Sequence, residues 1–183
     1  MSPRIPLLAP AQLDAQQRGL YDAITGGPRA AGPQRFPLTH ADGSLTGPFN
    51  ALLLSPAVGS ALQELGASLR YRTTLDDRSR EIAILVVASR WNSAFEREAH
   101  EAVARGLGFT DSELEALREE RASAFEGHER AIARTVRALL DGDLDDGEWD
   151  AAASVLGAAV VFELTTLVGY YATLALQLRI FRV

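Results

Sequence analysis

The chain contains no cysteine, which excludes disulfides, thiolate nucleophiles and cysteine-ligated metals. It contains no lysine either, since all 18 basic residues are arginine, and that removes Schiff-base chemistry. Aromatic residues are few, at 7% of 183 positions, and the alternating pattern of strands is nearly missing. The net charge is −6 and no segment gathers a basic stripe, which argues against a nucleic-acid partner. The opening residues, MSPRIPLLAP, hold no apolar run of signal-peptide length. The longest apolar stretch, from Ala151 to Leu178, is broken by Gly157, Glu163 and Gly169. A buried pair of core helices explains it better than a membrane span, and the expected setting is a reducing cytoplasm.

What is present is a helical pattern in a chain that is 47% hydrophobic, enough for one real core. The reading is a single all-α domain over residues 1–183, a helical bundle with one long loop at about 29–47. Ala11–Ile24 is amphipathic and ends at Gly26-Gly27-Pro28. Pro48-Phe49-Asn50 opens a short helix, and Pro56 suits the first turn of another running to about Arg70. Asp76 and Asp77 cap a helix that carries Glu81 and the apolar run Ile82–Ala88. Asn92 or Ser93 can cap the next, which closes at Gly106-Leu107-Gly108. Thr110 and Glu113 form a capping box. Ala124–Leu140 is amphipathic, and two helices follow with a break near Gly157.

One stretch carries chemistry. On the helix from Ser93 to Arg105, Phe95, Ala99, Ala102 and Val103 share one side and are expected to face the core. Arg97, Glu98, Glu101 and Arg105 share the opposite side and are expected to face water. Ser93, Glu96 and His100 fall at the border, where a group is partly desolvated yet within reach of a ligand. Glu96 and His100, at i and i+4, are spaced to hydrogen-bond, and a carboxylate on one imidazole nitrogen leaves the other free to move protons. Glu81 lies on a helix that is apolar almost all round, where desolvation favours the neutral carboxyl of an acid catalyst. Plainer readings stand beside these. Glu81 can pair with Arg78, Arg80 or Arg90; Glu96–His100 can be a solvated pair; Ser93 can be a cap and Trp91 a core residue. No His, Asp and Glu set has metal-ligand spacing, and no phosphate-binding glycine loop occurs.

At these residues the chain resembles the carboxymuconolactone decarboxylase family, within the alkylhydroperoxidase D-like superfamily. The peroxidase branch carries Glu, then twelve residues on a C-x-x-C-x-x-x-H run; the same spacing here gives Glu81, Ser93, Glu96 and His100. With both thiols replaced, cysteine peroxidase chemistry is excluded. The decarboxylase-like branch carries W-x-x-x-x-E-W-x-x-H, matched by Trp91, Glu96 and His100, with Arg97 where Trp is common. Further likeness lies in Arg-Ile-Pro-Leu-Leu near the start, Gly47-Pro-Phe-Asn50, Arg80-Glu-Ile-Ala-Ile-Leu and Leu167-Val-Gly-Tyr-Tyr.

The resemblance implies an all-α fold of the alkylhydroperoxidase D-like type, assembled as a homo-oligomer, a trimer or hexamer. It implies a cofactor-free acid–base enzyme that decarboxylates a small carboxylated lactone or related enolisable acid. His100 is then the proton donor, Glu96 its orienting partner and Glu81 a proton relay. Trp91 and Phe49 wall the pocket, Ser93 and Asn50 touch the substrate, and Arg72, Arg90 or Arg97 holds its carboxylate. Two other functions fit the same residues: another proton transfer (isomerisation, dehydration or cyclisation), or a non-catalytic oligomeric binding protein. Small molecules are the expected partners; nucleic acid and membrane are not.

Overall fold

A computed structural model describes residues 2–27, 30–31 and 36–183. Among these the regular structure is helical, with no strand and one isolated antiparallel bridge between Thr39 and Leu45. The chain divides into two compact units, residues 1–72 with 176–183, and residues 73–175.

The first unit holds α1 (Ala15–Thr25), α2 (Pro48–Leu52), α3 (Pro56–Tyr71) and the last turns of α9 (Ala158–Phe181). The first helix starts later than its apolar pattern predicts. Asp14 accepts from the backbone N–H groups of Gln16 and Gln17, the Gln17 side chain answers the Asp14 N–H, and residues 10–12 form a separate 3-10 turn. Leu20, Ile24, Leu45, Phe49, Leu52 and Leu53 make the core of this unit. Gly59 permits close approach of α3 and α2, because a Cβ there would lie 2.4 Å from the Leu52 carbonyl oxygen. Within the described part of the 29–47 loop, the bridge is closed by the His40 N–H donating to the Ser44 carbonyl and the Thr46 N–H donating to that of Leu38.

The second unit is built around α4 (Asp77–Arg90), in which every residue from Ser79 to Ala88 is buried. The run Ile82–Ala88 is apolar all round, which places it at the centre, and α4 packs against α5 (Ala94–Gly106), α6 (Asp111–Arg118) and α7 (Gly127–Asp141). Each buried Ile, Leu or Val contributes about 1.5–3 kcal/mol to that packing. Asp76 starts α4, accepting from the Ser79 N–H and hydroxyl at 2.8 Å each. Burial opposes ionisation of this carboxyl, but the two Ser79 bonds outweigh it and hold it below the ordinary range. α7 begins at Gly127, three residues later than its amphipathic pattern, because 122–124 forms a 3-10 turn. It packs against α8 (Asp146–Leu156), and Gly157, at φ +80°, separates α8 from α9 where the sequence places a break.

Three arginines tie these helices together. Arg78 on α4 donates to Glu129 on α7 at 2.6 Å and to Glu113 on α6 at 2.7 Å, and lies over the Phe109 ring at 3.9 Å. Arg90, at the other end of α4, reaches Glu120 and Asp141. Arg118 on α6 grips Glu101 on α5 with bonds of 2.7 and 2.6 Å. In α9, Glu163 is used in the same structural way, accepting from the Thr74 N–H and hydroxyl. α9 is long and apolar enough to cross a membrane, yet its Leu164 and Leu167 are fully buried within the protein.

The Arg118 hydrogen bonds hold the Glu101 carboxyl below its ordinary value of 4.5, with the Arg118 and Arg105 charges adding to the effect. A folded pKa below the unfolded one means stability that is complete above the unfolded pKa and lost as pH falls through the folded one. Glu101→Gln should therefore lower the unfolding free energy by about 1.5 kcal/mol at pH 7. The gap from wild type should shrink as pH drops below 4.5, measured by urea denaturation across pH.

Candidate acid–base site

The burial of α4 carries Glu81 inward, and α5 brings Glu96 and His100 against it. His100 Nδ1 lies 2.7 Å from Glu81 Oε2, a hydrogen bond between buried side chains. His100 Nε2 lies 3.6 Å from Glu96 Oε2, an ion-pair distance beyond hydrogen-bond length. The three side chains are 6%, 1% and 4% exposed for His100, Glu81 and Glu96. The direct partner of His100 is thus Glu81, nineteen residues away, rather than Glu96 one turn away. A carboxylate opposite Nδ1 favours the tautomer with its proton there and leaves Nε2 as the exchangeable nitrogen.

The buried face of α5 differs from the one its apolar residues mark. Glu96, Ala99, His100, Glu101 and Ala104 are buried, whereas Phe95, Ala102 and Val103 are half-buried. The face is turned by about one residue, roughly 100° around the helix. His100 and Glu96 consequently sit within the buried face instead of at its border. Glu101, expected in water, is buried because Arg118 covers it. Local pattern could not register these cross-helix partners, because a polar residue with a partner packs as readily as an apolar one.

The other predicted residues divide. Ser93 occupies the N-cap position of α5 and is buried, but its hydroxyl makes no cap hydrogen bond. Trp91 ends α4 and is half-buried. Phe49, Asn50 and Arg72 belong to the first unit. Phe49 is part of that unit's core. The Asn50 amide donates to the Pro6 carbonyl at 3.0 Å and accepts from the Leu8 N–H at 3.4 Å, so its polar atoms fasten the N-terminal segment. Arg72 is exposed and paired with Glu64 at 2.7 Å. Of the arginines considered for a substrate carboxylate, Arg90 is committed to Glu120 and Asp141, while Arg97 on α5 has no ion pair among the described residues.

Tyr171 is the residue at this site that sequence reasoning missed. Its ring meets His100 edge to face, at 5.3 Å and 85°, and Tyr170 packs on Tyr171 in the same manner at 5.2 Å. The Leu167-Val-Gly-Tyr-Tyr segment was the available signal. These contacts fix the plane of the imidazole, which sets the direction in which Nε2 points. Among the described residues no group of three His, Asp or Glu side chains is arranged to hold a metal ion.

Glu81 and Glu96 should separate thermodynamically. In double-mutant cycles on unfolding free energy, Glu81→Gln with His100→Ala should give a coupling of about 1.5 kcal/mol or more. Glu96→Gln with His100→Ala should give less than about 0.5 kcal/mol, as its 3.6 Å separation predicts.

No curated protein matches the sequence. Residues 56–138 match the carboxymuconolactone decarboxylase family, a family that includes decarboxylases and peroxidases. The matched segment runs from the first residue of α3 into α7 and contains Glu81, Glu96 and His100. Over this segment, which is less than half of the chain, the sequence is similar to the carboxymuconolactone decarboxylase family.

Proposed function

We propose that the protein is a cofactor-free acid–base enzyme that decarboxylates a small carboxylated lactone or a related enolisable acid. The observation that supports this most is the buried 2.7 Å hydrogen bond between Glu81 and His100, with Glu96 beside the other ring nitrogen. In a water-poor setting, charge placed beside a reacting group acts more strongly than in solution. The substrate carboxylate leaves as carbon dioxide, and its bonding electrons remain on the adjacent carbon as an enolate. His100, protonated on both nitrogens, gives the Nε2 proton to that carbon. Glu81 stabilises the imidazolium through Nδ1, and Glu96 helps return a proton from water to Nε2. Arg97, three residues before His100, is the arginine assigned to the substrate carboxylate.

A second reading is favoured by the low exposure of His100, which is 5%. Here the pair is a buried polar tie with no catalytic part, and the protein binds without reacting. The two readings part on activity. Against a panel of small carboxylated lactones and enolisable acids, carbon dioxide release should fall by 10²–10⁴-fold in His100→Ala and in Glu81→Gln. Full activity in both variants, with folding intact by circular dichroism, contradicts the assignment.

We also assign the exposed side of α9 to contact between copies of the chain in the cytoplasm. Phe162 is 71% exposed and is followed on the same side by Thr165 and Gly169, with no charge between them on that side. Light scattering should give a multiple of 19.7 kDa for the wild type and a smaller assembly for Phe162→Asp. A monomeric wild type contradicts this.

A further inference from the structure

Arginines dispersed in the sequence meet on one side of α7. Arg130, Arg134 and Arg137, at i, i+4 and i+7, are exposed along one face of the helix, and Arg121 joins them from the preceding segment. Together with Glu119 and Glu120 they line an open cavity of about 460 Å³. The carboxylates there are already engaged, Glu119 with Arg121 and Glu120 with Arg90. Arg130 donates through Nε to the Phe125 carbonyl, and its terminal nitrogens make no hydrogen bond or ion pair among the described residues. Arg134 and Arg137 carry no ion pair or hydrogen bond among the described residues. Asp141, four residues beyond Arg137, is spent on Arg90. Like charges at this spacing repel, so the helix face gains from a bound anion.

A second cavity, of about 230 Å³, adjoins the first and shares Arg130 and Arg134 with it. It lies between α7 and α8 and is walled by Ala131, Ala138, Leu144, Ala152 and Val155. Its one carboxylate, Glu148, is occupied in the capping box that starts α8. An apolar recess with unpaired guanidinium groups at its mouth has the chemistry of an amphipathic anion turned inside out.

We propose that the α7–α8 recess binds an amphipathic anion, with its apolar body between the helices and its oxyanion head on Arg130, Arg134 and Arg137. The head is a carboxylate or a phosphate monoester. The site shares no residue with the Glu81–His100 pair and does not depend on the function proposed for it.

Calorimetric titration with hexyl phosphate, hexanoate, inorganic phosphate and hexanol tests this. Hexyl phosphate, hexanoate or both should bind saturably, at least tenfold more tightly than inorganic phosphate and hexanol; the stronger of the two identifies the head group. Arg134→Ala with Arg137→Ala should weaken that binding at least tenfold. Val155→Glu, at a position already 54% exposed, should weaken it comparably by placing a carboxylate at the recess. Thermal unfolding followed by circular dichroism checks that both variants fold. The proposal is overturned if neither amphipathic anion binds saturably, if hexanol binds equally well, or if folded variants bind as wild type does.

Discussion

The second unit depends on holding a carboxylate and an imidazole together where water is scarce. A charged group taken out of water costs several kcal/mol unless a partner is fixed beside it, so the Glu81–His100 distance constrains everything around it. α4 must be buried on all sides to bring Glu81 inward, and α5 must turn its histidine toward α4. Small residues, Ala99 and Ala104, line the same buried face of α5 and leave room for the polar pair. Tyr171 then closes on the imidazole from α9.

Arginine supplies the framework that holds this arrangement. With no lysine in the chain, every cross-helix cation has a planar guanidinium that can engage two acceptors at once. Arg78 uses that geometry to join α4 to α6 and α7, Arg90 to join the far end of α4 to Glu120 and Asp141, and Arg118 to bind α5 to α6. These bridges consume the carboxylates near them. Arg97, Arg134 and Arg137 are left without ion pairs among the described residues, one on the helix of the acid–base pair and two beside the α7–α8 recess. The same pairing that stiffens the unit thus leaves these three guanidinium groups without a carboxylate partner among the described residues.

Much of this was legible in the sequence because it is encoded locally. Capping residues at Asp76 and Thr110, the break at Gly157 and the all-apolar run after Glu81 each follow from a few adjacent residues. The candidate trio was legible from spacing, since Glu81, Glu96 and His100 do meet. What sequence could not supply was partnership across helices. Helical spacing favoured Glu96 for His100, whereas tertiary packing presents Glu81. Apolar pattern turned α5 by about one residue because it counted Glu96, His100 and Glu101 as polar without seeing what they pair with. Asn50 read as a ligand for substrate, and its amide holds backbone instead. The arginines of the α7 face form no run in sequence, because helical periodicity assembles them from every third or fourth position.

The central claim is that Glu81 holds Nδ1 of His100 and leaves Nε2 to exchange protons. Long-range proton–nitrogen correlation of the imidazole ring in uniformly labelled protein reads this directly. The account predicts a protonated Nδ1 with a strongly deshielded, slowly exchanging proton that disappears in Glu81→Gln and persists in Glu96→Gln. A bare Nδ1 with the proton on Nε2, or a signal lost in Glu96→Gln and retained in Glu81→Gln, would contradict it.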